Sequence, residues 1–106
     1  MNVSADRDIS EGEILDLVTS IRSVAPGVSP VGGGILAALH LGITKDSRTF
    51  ARLFGIPHAI VLREITDLSE RHSLVAVVYR NSRTQRTELA FTGPGQELLL
   101  QSQLAP

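Results

Sequence analysis

The amino-acid sequence predicts an α+β domain that is mainly helical, with a C-terminal β-hairpin and a short final helix. Three observations carry that reading. Apolar residues recur at helical spacing through the first two thirds of the chain, most clearly in Ile60, Val61, Ile65 and Leu68. The pattern then changes to Leu74-Val75-Ala76-Val77-Val78-Tyr79, a β-branched run, and to the alternating Thr87-Glu88-Leu89-Ala90-Phe91-Thr92. Glycine and proline punctuate the joints, above all at Gly55-Ile56-Pro57 and Thr92-Gly93-Pro94-Gly95. With 106 residues and 42% hydrophobic composition, the chain is long enough for one modest core.

Residues 1–10 are polar and read as a flexible N-terminus ahead of a single domain over 11–104. Ser10 and Glu13 have capping-box spacing before Ile14, Leu15, Val18 and Ile21, so a first helix is expected over Glu11–Val24. Ala25-Pro26-Gly27-Val28-Ser29-Pro30 reads as a turn. Gly32-Gly33-Gly34 reads as a flexible entrance to a second helix over Gly34–Leu41, closing near Gly42. It lacks the lysine and hydroxyl pattern of a phosphate-binding loop. A third helix follows over Ser47–Phe54, capped by Asp46 or Ser47.

Gly55 suits the left-handed end of that helix, and Pro57 suits the first position of a fourth helix running to Glu70. Leu74–Tyr79 is expected to be a strand with a mostly buried face, and Thr87–Thr92 the returning strand with Leu89 and Phe91 inward. The polar run from Arg80 to Arg86 between them reads as a turn with loose flanks, and Gln96–Leu104 as the final helix. Helix, tight turn, helix and then a basic hairpin is the order of a winged helix-turn-helix.

Composition narrows the function classes. The chain has no cysteine, which removes disulfides, thiolate nucleophiles and cysteine-ligated metals. It has no apolar run long enough for a membrane span and no signal-peptide pattern, so a cytoplasmic protein without membrane contact is expected. His40, His58 and His72 are separated in sequence, with no recognisable nucleophile–base or metal-ligand spacing; neither enzyme activity nor a cofactor is expected. The net charge of -1 is unevenly spread. Residues 1–44 and the tail from 87 are acidic, whereas residues 45–86 hold Lys45, Arg48, Arg52, Arg63, Arg71, Arg80, Arg83 and Arg86 against only Asp46, Glu64, Asp67 and Glu70.

The stretch from Ile35 to Leu100 resembles the winged-helix DNA-binding domain of MarR-type bacterial transcription regulators. Leu53, Gly55 and Ile56 match the end of the helix before the reader and its turn, and Val61, Ile65 and Leu68 the reader's buried stripe. Leu68, Glu70, Arg71, Leu74 and Val75 resemble the passage into the wing. Asn81, Arg83 and Arg86 stand where that family has its Asp/Arg-rich tip, and Phe91-Thr92-Gly93-Pro94-Gly95 resembles its exit. His72-Ser73 replaces the family's glycine turn, and the usual wing aspartate, expected to orient the wing arginine, is missing. HAIVLREITDL with the later YRNSR is also similar to Rha-type phage regulatory proteins. Both resemblances imply nucleic-acid-related regulation.

The expected function is sequence-specific binding of double-stranded DNA by a transcriptional regulator. Helix 57–70 would enter the major groove, with His58, Ala59, Leu62 and Arg63 reading bases. Arg63 has a competing role as the partner of Asp67 one turn on. Ser47, Arg48 and Arg52 would contact backbone, and the wing 80–86 would bring Arg80, Arg83, Thr84, Gln85 and Arg86 to phosphate or the minor groove. A homodimer is expected, with Leu15, Val18 and Ile21 of the first helix and Leu98 and Leu99 of the last as its seam. The alternative is a winged-helix module that binds a protein partner and no DNA.

Overall fold

A computed structural model describes residues 10–104, so the expected N-terminal tail lies outside the described residues except for Ser10. Among the described residues the architecture is α+β: five α-helices, with a two-stranded antiparallel hairpin inserted before the last. It matches the predicted winged-helix-like order.

Helix α1 (Glu11–Val24) begins with the expected capping box. The Glu13 N–H donates to Ser10 Oγ at 3.1 Å, and the Ser10 N–H donates to Glu13 Oε1 at 3.3 Å. Helix α2 (Pro30–His40) starts earlier than expected. Ser29 caps it by accepting the Gly32 N–H at 2.9 Å, Pro30 takes the first helical position, and the glycine triplet lies inside the helix, fully buried.

These glycines are there for contact. A Cβ on Gly33 would lie 3.1 Å from Val18 Cγ1 of α1, and one on Gly34 would lie 3.2 Å from the Phe54 ring. Close packing of two neighbours overrides glycine's poor helix propensity. The amides of Gly32 and Gly33 are both taken by Ser29, which removes any phosphate-loop reading. At the far end Gly42 is left-handed, with its N–H donating to Leu39 O and that of Ile43 to Ala38 O, a Schellman closure.

Asp46 caps helix α3 (Ser47–Phe54): its Oδ1 accepts the Arg48 and Thr49 N–H groups. Gly55 ends it at φ 66°, as expected. Pro57 is the cap of helix α4 (His58–Thr66) and precedes its first turn rather than lying within it. The helix runs on without a break into one π-helical turn, Asp67–Arg71. Ser73 then adopts φ 57° where a glycine would be expected, and Leu74 N–H donates to Leu68 O at 2.9 Å.

Strand β1 (Val75–Arg80) pairs with β2 (Thr87–Phe91), with a bulge at Val78 where the register passes from Val77↔Leu89 to Tyr79↔Glu88. The expected buried face of β1 is a correction: Leu74 and Val75 are buried, but Val77, Val78 and Tyr79 are 40%, 58% and 46% exposed. β2 takes the inner position, because its outer edge also meets the segment before α3 through an Asp46↔Glu88 bridge and a Leu89 N–H to Lys45 O bond. β1 is left as the edge, and only its first residues reach the helices. Leu89 is buried and Phe91 packs against the core, as expected.

Helix α5 (Gly93–Leu104) also starts earlier than predicted, because Thr92 Oγ1 accepts the Gly95 N–H at 3.0 Å and caps it. It lies against α1 and β2. One continuous core joins Ile21, Ile35, Leu36, Phe50, Val61, Ile65, Leu68 and Leu89 to Leu98 and Leu99. Ile21, Leu98 and Leu99 therefore hold the chain's own interior and do not form an exposed seam.

Candidate nucleic-acid interface

The N-termini of α3 and α4 and the start of β2 converge on one hydroxyl. Ser47 is fully buried, its Oγ accepts the Thr87 N–H at 2.8 Å, and the same oxygen lies 2.8 Å from His58 Nε2. His58 is only half-buried. Burial, and then the nearby Arg48 guanidinium, hold its pKa below the ordinary histidine value against an opposing pull from Asp46. The Ser–His distance is that of a nucleophile and its base, a juxtaposition no sequence spacing indicated. The Ser47 hydroxyl has no exposed surface, so in this fold it is a structural node. Its expected role as a phosphate contact is corrected on the same ground.

A second node lies beside it. Arg86 donates from Nη1 to Asp46 Oδ2 at 2.9 Å and to Glu88 Oε2 at 3.3 Å, and its guanidinium sits 5.8 Å from the centre of the Tyr79 ring. Lys45 reaches Glu88 at 3.6 Å. Burial would raise the Asp46 carboxyl, but Arg86 and the Arg48 and Thr49 amides outweigh it and hold it below the usual range. Asp46 in turn raises Arg86 above its ordinary value. Asp46 and Glu88 thus orient a wing arginine although the tip has no aspartate. Arg86, expected to approach phosphate or the minor groove, is here paired with two carboxylates.

The tip itself is tightly turned and not loose. Asn81 Oδ1 accepts the Arg83 and Thr84 N–H groups, Asn81 N–H donates to Arg86 O, and Gln85 N–H donates to Asn81 O. Gln85 adopts φ 65° and its amide donates to Ser82 O, while Thr84 Oγ1 accepts the Arg86 N–H. The Thr84 and Gln85 side chains are therefore engaged within the turn. Arg48 Nη2 donates to Thr84 O at 3.1 Å and ties the start of α3 to the tip. Arg80 Nε donates to Thr87 Oγ1 at 3.1 Å. Arg83 is exposed, and its side chain has no hydrogen bond or ion pair among the described residues.

On α4, Ala59 and Arg63 share the exposed face and Leu62 is half-buried. Arg63 borders a polar groove of about 500 Å³ that also holds Glu64, Asp67, Glu70 and Arg71. Its expected partner Asp67 turns instead to Arg71 at 3.8 Å and His72 at 3.5 Å. Arg52 leans on Thr49 Oγ1 at 3.4 Å.

Away from the wing, exposed Leu15 and half-buried Val18 line an apolar groove of about 610 Å³ with Ile14, Val31, Leu53, Phe54 and Ile56. Among the described residues no acid–histidine cluster could hold a metal ion, and no helix is long and apolar enough to cross a membrane. Comparison with known protein families, characterised proteins and solved structures returned no match.

Proposed function

We propose that the chain is a sequence-specific, double-stranded DNA-binding transcriptional regulator of the winged-helix type. The carrying observation is the Ser47 node, which ties the first turns of α3 and α4 to the wing so that His58, Arg48 and the Arg83 tip belong to one rigid assembly. In this reading α4 enters the major groove with His58, Ala59 and Leu62 leading and Arg63 one turn in. Arg48 and Arg52 contact backbone phosphates, and Arg83 with Arg80 brings the wing to phosphate or the minor groove. Selection from a random duplex library with the purified chain tests it. Enrichment of a defined motif is expected, and no duplex retained even at low salt sinks the reading.

The reading includes a homodimer on a two-fold operator. Leu15 and Val18 supply its available surface, an apolar groove that also takes in acidic Glu11 of α1. A second reading, a protein-binding winged helix, is favoured by one observation, the exposed Val77, Val78 and Tyr79 on the edge strand. A purified chain that retains no duplex and captures a peptide strand along β1 would favour that alternative.

A further inference from the structure

The Ser47 node determines which hydrogen His58 can offer. Ser47 Oγ already accepts the Thr87 N–H, and the buried hydroxyl still has one hydrogen to place. The acceptor in reach is His58 Nε2 at 2.8 Å. If the ring instead carried its proton on Nε2, the Ser47 hydrogen would be buried without a partner, a loss comparable to breaking a buried hydrogen bond. The neutral ring therefore carries its proton on Nδ1. That atom has no hydrogen-bond partner among the described residues and is not among their buried side-chain polar atoms that lack one, so Nδ1 reaches solvent. Burial, with the Arg48 charge, lowers the ring's pKa and so favours its neutral form.

We propose that Ser47 locks His58 as a donor-only reader whose Nδ1–H, at the leading turn of α4, selects guanine in the major groove. Guanine presents two adjacent acceptors there, N7 and O6, whereas adenine sets an amino donor beside its N7 and thymine a methyl beside its O4. A histidine free to change tautomer would offer either a donor or an acceptor and discriminate less. Ser47 is thus a positioning residue, buried beneath the contact, and Thr87 couples its hydroxyl to the wing. This assignment rests on the DNA-binding reading above.

Two measurements decide it. Long-range proton–nitrogen correlation spectra of the free chain read the tautomer without any DNA: a pyrrole-like Nδ1 and a pyridine-like Nε2 are expected, and the reverse overturns the proposal. The duplex returned by library selection is then rebuilt with 7-deazaguanine at each guanine in turn. One position is expected to weaken binding by the wild-type chain about tenfold, and to have no effect on binding by His58→Ala. A duplex bound tightly with no sensitive guanine overturns the proposal and leaves the DNA reading standing. Sensitivity that persists in His58→Ala overturns it in the same way. Should His58→Ala fail to fold, the wild-type scan and the spectra decide on their own. Retention of no duplex at all removes the DNA reading and the guanine assignment together.

Discussion

The loop of the β-hairpin holds two arginines in opposite circumstances. At the base of the loop, Arg86 lies between Asp46 and Glu88 and beside the Tyr79 ring, and Thr87 is buried against Ser47. At the tip, Arg83 projects from a turn closed by Asn81 and meets no acid among the described residues. Both are basic residues of one short loop, yet one is structural and the other is free to meet a phosphate. The difference teaches that a cluster of cations in sequence measures potential charge, and that the carboxylates folding brings alongside decide how much of it a ligand can meet.

The hairpin that carries this loop breaks most severely at its open end. Gly95, where α5 passes under the hairpin, has no room for a side chain: a Cβ there would collide with the Leu74 carbonyl and press on the Phe91 ring. Gly95→Ala is expected to cost about 3 kcal/mol in urea denaturation, because backbone is a hard obstacle. Ser47→Ala comes next. It strands the buried Thr87 N–H and is expected to lose about 1–3 kcal/mol by the same measurement. A loss within error would mean that water or a backbone shift satisfies the Thr87 amide.

Asp46→Asn sharpens the comparison, since asparagine caps a helix as well as aspartate and only the pairing with Arg86 is removed. A Tm deficit smaller than that of Ser47→Ala is expected at neutral pH. The folded-state pKa of Asp46 lies below its unfolded value, so its contribution is present above the ordinary aspartate range. It is lost as pH falls through the lowered folded pKa, so the deficit should vanish in acid. Arg86, left with Glu88 alone, should also modestly steepen the salt dependence of duplex binding. Arg83→Gln is the mildest change: Tm should not move, while the log–log salt slope should fall by about one unit if the tip touches phosphate. An unchanged slope would place the tip off the DNA.

Local signals carried much of the fold. The Ser10–Glu13 box, the Asp46 cap and left-handed Gly55 depend on near neighbours in sequence, and each forms as its residues suggested. The glycine triplet misled because its reason lies in α1 and Phe54, distant partners that periodicity does not reveal. β1 misled for a related reason: a β-branched run shows that a strand forms, not that anything covers it. At the candidate site the residue types were legible and their engagement was not. The Arg86–Asp46 and Thr87–Ser47 hydrogen bonds each span 40 residues, and a hydroxyl that reads as a surface contact became the buried centre of the assembly.

The glycines of α2 also bear on how the molecule comes together. Each disfavours a helix by about 1 kcal/mol relative to alanine, and so short a segment has little tendency to coil alone. α2 exists because α1 and Phe54 close over it. Its amides should therefore exchange with solvent only when the whole domain opens, which makes this weakest intrinsic helix former a reporter of global cooperativity.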